Sequence, residues 1–211
     1  MRVRVDQGAV TRLVKWTQRM LVALAVSALG YCGFVLVDGW TFQNRESRRL
    51  EQLLNARKLE TSSAATPAVF PVSTKIPAQI AEGGLIGRIT IPRLAMSLMV
   101  MEGTNGSVLR RAVGHIAGTA LPGQPGNVGI AAHRDTLFRP LRNIRENDLV
   151  SLTTPAGEYR YRVVSTAVVS PTDVGVLEPG ANQNLILVTC YPFNFIGSAP
   201  RRFIVRAERI P

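Results

Sequence analysis

Between Met20 and Val37 the chain runs through about eighteen residues without a charge, MLVALAVSALGYCGFVLV, and no other feature narrows its possible folds as much. As a helix, such a stretch is at the short end of what crosses a hydrocarbon core at ~1.5 Å per residue. Arg2, Arg4, Arg12, Lys15 and Arg19 precede it, offset by Asp6 alone, and Asp38 follows directly. That bias favours a cytoplasmic N-terminus, although Arg45, Arg48 and Arg49 soon after the span temper it. A cleaved signal peptide would have a shorter apolar core and a small-x-small site, and Val37-Asp38-Gly39-Trp40 is a poor one. We read residues 1–19 as a cytoplasmic segment and 20–37 as an uncleaved single-pass anchor with Tyr31 and Trp40 as interfacial residues. The rest of the chain then lies outside the cytoplasm.

Charge is consistent with that placement. Lys and Arg number 25 against 14 Asp and Glu, a formal charge of +11. The basic residues are mostly arginines scattered singly, with no aromatic-interleaved stripe, zinc-finger spacing or recognition-helix pattern, so a nucleic-acid partner is not expected. An anionic membrane surface or cell-wall polymer accounts for the excess as well. Of the two cysteines, Cys32 falls inside the apolar span as a small apolar residue and Cys190 in the distal domain, so a disulfide between them is geometrically implausible. A single unpaired thiol in the exported part of a chain is unusual, because oxidising compartments pair or oxidise such groups. Cys190 is therefore a candidate for chemistry.

Residues 38–83 do not read as a folded domain. Phe42 to Leu59 is rich in Arg, Glu, Leu and Gln, with Glu51, Leu54 and Lys58 at helical spacing, and predicts a short helical stalk. Thr61 to Pro77 is a Ser/Thr/Ala/Pro mixture without periodicity, expected to be an extended tether that lets the distal domain reach away from the membrane. The folded domain is expected over 84–211. Gly87 to Ile91 alternates like a half-buried strand, Ser97 to Met101 is a second, and Ser107 to Val113 predicts one or two helical turns. Gly114 to Gly126 is dense in turn residues and reads as loop. A strand then leads to His133, with a short helix expected over Phe138 to Ile144. Asp148 to Thr153 and Tyr159 to Val169 form an antiparallel hairpin around Thr154-Pro155-Ala156-Gly157. A long loop, Ser170 to Gln183, precedes the buried run Leu185 to Cys190, and Phe203 to Ala207 closes the set. Many short strands with few helices argue for an all-β barrel or sandwich.

Three chemically capable side chains sit at strand ends in this scheme: His133, Cys190, and one of the adjacent pair Arg201 and Arg202. They can converge on one rim. The other histidine, His115, lies in the Gly-rich loop and lacks the strand-end setting, so His133 is preferred. Attack on a peptide carbonyl needs a thiolate, and a free cysteine at a pKa of about 8.5 supplies little at neutral pH unless a cation is close. Protonated His133 and a guanidinium both provide that field. No group of His, Cys, Asp and Glu has metal-ligand spacing, and no Gly-rich loop opens a helix as a phosphate cradle does, so neither a metal nor a cofactor is expected.

The segment Val188-Thr189-Cys190-Tyr191-Pro192-Phe193 with Arg202 before a final strand, together with Pro125 to Thr136 reading PGNVGIAAHRDT, resembles the sortases, most closely those called class D. The resemblance covers Gly84 to the C-terminus, and the anchor and tether fit the family's layout. It implies a closed eight-stranded β-barrel and a cysteine transpeptidase that cuts an LPxTG-like sorting signal after its Thr. The acyl group then passes to an amine on a cell-wall precursor or a pilin lysine. In that scheme Cys190 is the nucleophile, His133 the acid and base, and Arg202 the anion stabiliser. Thr189, Val174, Val176 and Leu177 are implied to contact the substrate, the last three from the loop that covers its groove. The partners implied are secreted or surface proteins that carry a C-terminal sorting signal. One position departs from the family pattern Thr-Leu-x-Thr-Cys: Ile186 stands where its first Thr is expected. Arg202 rather than Arg201 rests on the family alignment, since alternation by itself decides the point weakly. Papain-like proteases place Cys before His and have a large helical half, and cell-wall L,D-transpeptidases use a Ser-x-Gly-Cys type setting; neither fits. A tethered barrel that only binds peptides, its thiol unreactive, is the rival from another class.

Overall fold

The computed structural model describes residues 7–63, 80–173, 175–177 and 183–211. Helix α1 (Gln7–Ser63) carries the apolar stretch, and its residues 20–37 are exposed throughout. Among the described residues it is the one helix long and apolar enough to cross a membrane. The chain divides into two compact units after Thr41.

In the second unit, the part of α1 from Phe42 onward packs on the barrel instead of standing free. Phe42 joins the small cluster of Met101, Val108 and Ala112, with the Arg111 guanidinium over its ring. Leu50 is fully buried. Gln43 fixes the helix along its length, because its Oε1 accepts from the Met99 amide at 2.8 Å while its Nε2 donates to the Arg111 carbonyl. Arg88 donates to Ser47 and Glu51, and Arg57 donates to the Pro155 carbonyl. A helix with one thin apolar stripe cannot bury enough surface to be stable by itself, and here the barrel supplies the missing partner. The stalk expected over 42–59 is thus helical and docked. Residues 61–63 of the expected tether still belong to α1, and the rest of that tether lies outside the described residues.

Eight strands close a barrel in the order β1-β2-β3-β4-β7-β8-β6-β5. They are β1 (Leu85–Ile91), β2 (Met96–Glu102), β3 (Val113–His115), β4 (Asn127–Ala131), β5 (Leu149–Thr154), β6 (Gly157–Val169), β7 (Asn184–Tyr191) and β8 (Arg201–Ile210). A four-residue helix, α2 (Gly106–Leu109), is capped by Asn105, whose Oδ1 accepts from the Ser107 and Val108 amides. The expected helix over 138–144 is a 3-10 turn, Arg139–Asn143, with Pro140 near its start. The hairpin turn between β5 and β6 is held by Thr154, whose hydroxyl oxygen accepts from the amides of Ala156 and Gly157.

One strand escaped the sequence reading. β3 has only three residues, Val113-Gly114-His115, and pairs in parallel with β2 and antiparallel with β4. Gly114 is there because the backbone of Gly103 approaches so closely that a Cβ would stand 2.2 Å from its carbonyl oxygen. Strand pairing made through that close contact leaves no period-2 apolar signal in the chain.

The interior is filled from alternate positions. Leu185 and Leu187 of β7, Val205 and Ala207 of β8, and Val128 and Ile130 of β4 all face the core. Burying each large aliphatic side chain contributes on the order of 1.5–3 kcal/mol. At the edge of this core, the Arg93 guanidinium beside Asp148 holds that carboxyl below the usual carboxylate range. Tyr161 is buried among the core residues, and burial pushes its phenol up to about 12. In the unfolded chain a phenol ionises at about 10, so as pH rises the unfolded state loses its proton first. Tyr161 therefore contributes stability that is fully present below about pH 10 and is lost as pH climbs toward about 12, amounting to about 2–3 kcal/mol. Denaturant melts are expected to weaken across that window in the wild type and to weaken less in Tyr161→Phe. Identical slopes for the two would show that burial of this phenol does not drive alkaline unfolding.

Candidate active site

Strand β7 lies between β4, parallel to it, and β8, antiparallel to it. Cys190 is the last residue but one of β7, and its partner across the ladder is Arg202 at the start of β8. Arg201 pairs instead with Tyr191. Opposed residues in a ladder share a face, and successive residues alternate. Because Leu185, Leu187, Val205 and Ala207 fill the core, Cys190 and Arg202 belong to the outer wall of the barrel. Arg201 belongs with Tyr191 and Phe203, toward the core side at the barrel's end, where the rings of Tyr191, Phe193 and Phe203 meet with centroids 5.3–6.2 Å apart. Register therefore separates the two arginines, and the residue that shares a row with the thiol is Arg202.

His133 stands just beyond β4. The β4–β7 ladder ends at Ala131 opposite Val188, two residues short of the imidazole. Two further bonds keep the chain on track as far as Ala132: its amide donates to the Val188 carbonyl at 3.3 Å, and the Thr189 hydroxyl donates to its carbonyl at 2.7 Å. Continuing the same offset by one more residue puts His133 in the row of Cys190, on the outer face by alternation from Val128 and Ile130. The imidazole is exposed and the thiol half-buried. One outer row at the rim, continued past the end of β4, thus carries His133 beside Cys190 of β7 and Arg202 of β8.

His115 is a different kind of histidine. It is only 2 % exposed, its Nδ1 lies 2.8 Å from Glu102 Oε2, and its Nε2 lies 3.0 Å from both the Ala120 carbonyl oxygen and Thr119 Oγ1. With both nitrogens engaged by three partners on two segments, it ties β3 to β2 and to the loop before β4.

The remaining expected site residues are less directly placed. Thr189 faces the interior, is buried, and spends its hydroxyl proton on the Ala132 carbonyl, so its described contact is to the residue preceding His133. Leu177 is half-buried in a 3-10 turn, Gly175–Leu177, that passes near β4. Val174 lies outside the described residues, as does the side chain of Val176. Ile186 and Ile204 are buried although they face outward, so the outer wall below the rim is covered. Ile186, which replaces a Thr of the expected pattern, is therefore buried and asks for no hydrogen-bond partner there. A residue missed from sequence is Arg134, next to His133. It is buried and donates to two carbonyls of the β7–β8 loop; adjacency to a candidate catalytic residue was its only sequence signal.

Arg202 itself is engaged at one nitrogen. Its Nη1 donates to the Arg201 carbonyl at 3.1 Å and to that of Ala199 at 3.4 Å. Its Nε and Nη2 have no protein partner among the described residues.

The family model for the sortase domain matches residues 89–210, which spans β1 through β8. The chain belongs to the sortase family. As a sortase it is a cysteine transpeptidase. Sortase D of Bacillus subtilis (strain 168) is 30% identical over 191 residues, covering 90% of this chain and 96% of that relative. Among solved structures, a Clostridium perfringens Sortase D5 transpeptidase superimposes with a TM-score of 0.64 at 24% identity, over 81% of this chain and 99% of that one. Sortase C1 from Streptococcus suis gives a TM-score of 0.58 at 29% identity, over 61% of this chain and 74% of its own. The closed barrel of eight strands expected from the resemblance is the barrel observed.

Proposed function

We propose that this sortase cuts an LPxTG-like sorting signal between Thr and Gly through a thioacyl intermediate on Cys190 and transfers the acyl group to an amine. The Cys190 sulfur attacks the Thr carbonyl carbon, the S–C bond forms, and the C–N bond to Gly breaks. The departing amine takes a proton from His133. An incoming amine, on a cell-wall precursor or a pilin lysine, then gives a proton to His133 as its nitrogen attacks the thioester; the C–S bond breaks and the Cys190 thiolate leaves beside the imidazolium, restoring the starting pair. Arg202 offers Nε and Nη2 to the oxyanion that develops in both steps. An always-charged, planar fork suits that task better than an ammonium. Val174, Val176 and Leu177 of the β6–β7 loop are proposed to receive the apolar residue of the signal, and Thr189 to position the site from beneath.

The observation that carries this reading is the shared outer row of Cys190 and Arg202, with His133 continuing it on the other side. The apolar span of α1 supports a membrane-held enzyme whose N-terminus is cytoplasmic and whose barrel acts on exported proteins bearing a C-terminal sorting signal. The test is intact-mass spectrometry of the full chain in detergent after incubation with an LPxTG peptide. The expected result is a mass gain equal to the acyl fragment, located on Cys190 and discharged by hydroxylamine. A peptide cleaved with no adduct, or an adduct elsewhere, would rule out the thioacyl route.

A further inference from the structure

We propose that Arg134 is a positioning residue for His133: it fastens the turn that carries the imidazole to the loop that joins Cys190 to Arg202. This rests on the reading of His133 as the proton carrier.

His133 needs such a fastening because the ladder that aims it has already ended. Past Ala131 the β4–β7 pairing stops, and the chain turns away through residues 134–138. Within that turn the Phe138 amide donates to the His133 carbonyl at 3.0 Å, which shapes the turn but does not tie it to anything else. Arg134 makes the external tie. Its Nη2 donates to the Phe195 carbonyl at 2.6 Å and to the Gly197 carbonyl at 2.9 Å, and its guanidinium stands over the Phe195 ring at 5.9 Å. Both acceptors lie between β7 and β8, in the segment bounded by the proposed nucleophile and anion stabiliser. The loop presents the two carbonyls to one nitrogen through a residue of positive φ, Gly197 at 93°, a conformation that a Cβ disfavours.

The alternation of exposure fits the division of labour. His133 is exposed on the outer face, whereas Arg134 is buried, so one residue faces substrate and its neighbour faces protein. Among the described residues Arg134 has no carboxylate partner, only neutral carbonyls and a ring. A buried charge without a counter-ion is a costly way to gain stability alone. It is an effective way to fix geometry, since one end of the rigid guanidinium bonds two carbonyls while the group stands over an aromatic ring.

The test compares Arg134→Ala and Arg134→Lys with the wild-type full chain in detergent, using cleavage of an LPxTG peptide. Misplacing a proton carrier by about an ångström costs up to ~100-fold in rate. Arg134→Ala is expected to lower kcat by ~10–100-fold with KM changed less than about two-fold, and Arg134→Lys to recover part of the loss. In a His133→Ala background, where slow thioester formation is followed by mass spectrometry, adding Arg134→Ala is expected to cost less than about two-fold, because two residues acting as one unit are not additive. A full cost in that background, an unchanged kcat in the single variant, or a loss carried by KM alone each overturns the inference. Should Arg134→Ala not fold, Arg134→Lys with the same double-variant comparison decides. Wild-type cleavage by His133→Ala would instead defeat the underlying reading of His133, so the two failures are distinguishable.

Discussion

Replacing Cys190 with alanine is expected to abolish cleavage of a sorting-signal peptide, lowering the rate by at least ~10⁴-fold while the barrel stays folded. Among the described residues the outer row holds no second thiol or hydroxyl: an imidazole and a guanidinium flank the sulfur, and His115, the other histidine, has both nitrogens occupied. The substitution is small and falls at a half-buried strand end, so the thermal midpoint should move by no more than the equivalent of ~1 kcal/mol. Release of the Gly-containing fragment, followed by chromatography, and a circular-dichroism melt measure the two quantities. Peptide affinity should persist in the variant, because the substitution removes only the sulfur. Turnover within about ten-fold of the wild type would remove the thiol from the mechanism altogether.

The second large effect separates two neighbouring arginines. Arg202→Ala is expected to lower kcat/KM by ~10²–10³-fold, the usual consequence of losing a donor to a developing oxyanion. Arg201→Ala should change it by less than about three-fold, since Arg201 pairs with Tyr191 on the other face of β8 and is exposed. Arg202→Lys should restore only part of the activity, because an ammonium cannot bond the Ala199 carbonyl and still present a planar pair of donors. The opposite ranking, with Arg201 the costly residue, would place the anion stabiliser at the core end of the barrel and contradict the strand register as the basis of the site.

Much of the chain's layout was legible before its folding was known, for reasons that are local. An uncharged run of about eighteen residues, alternation in β6 and the continuous apolar run of β7 are each a short-range pattern, and the structure has a long helix and two strands there. The motifs around His133 and Cys190 were legible too, because their residue types and strand-end positions are written in contiguous sequence. What was not legible depends on partners far away. β3 exists because β2 and β4 offer hydrogen bonds to three residues that carry no strand signal of their own. The 3-10 turn after His133 replaces an expected helix and stops at Ile144, whose backbone is already extended.

The stalk illustrates the same limit from another side. Its helical spacing was readable between Phe42 and Leu59, but its docking was not. Gln43 contacts residues more than fifty positions away, and nothing in an amphipathic pattern names the surface that will cover it. Arg134 was equally silent: a single arginine in a turn reads as solvated, and only the loop folded beneath it makes it a buried fork.

The amino-acid order thus determined a helix long and apolar enough to cross a membrane, an all-β distal domain and the chemical identities His133, Cys190 and an adjacent pair of arginines, since composition and short periods carry that information directly. Tertiary structure decided that β4, β7 and β8 lie side by side, that Cys190 faces the barrel's outer wall, and that Arg202 rather than Arg201 shares a row with its sulfur. The reason is that a strand's two faces are chemically equivalent until its neighbours choose a register, and a shift of one residue exchanges every side chain between core and surface.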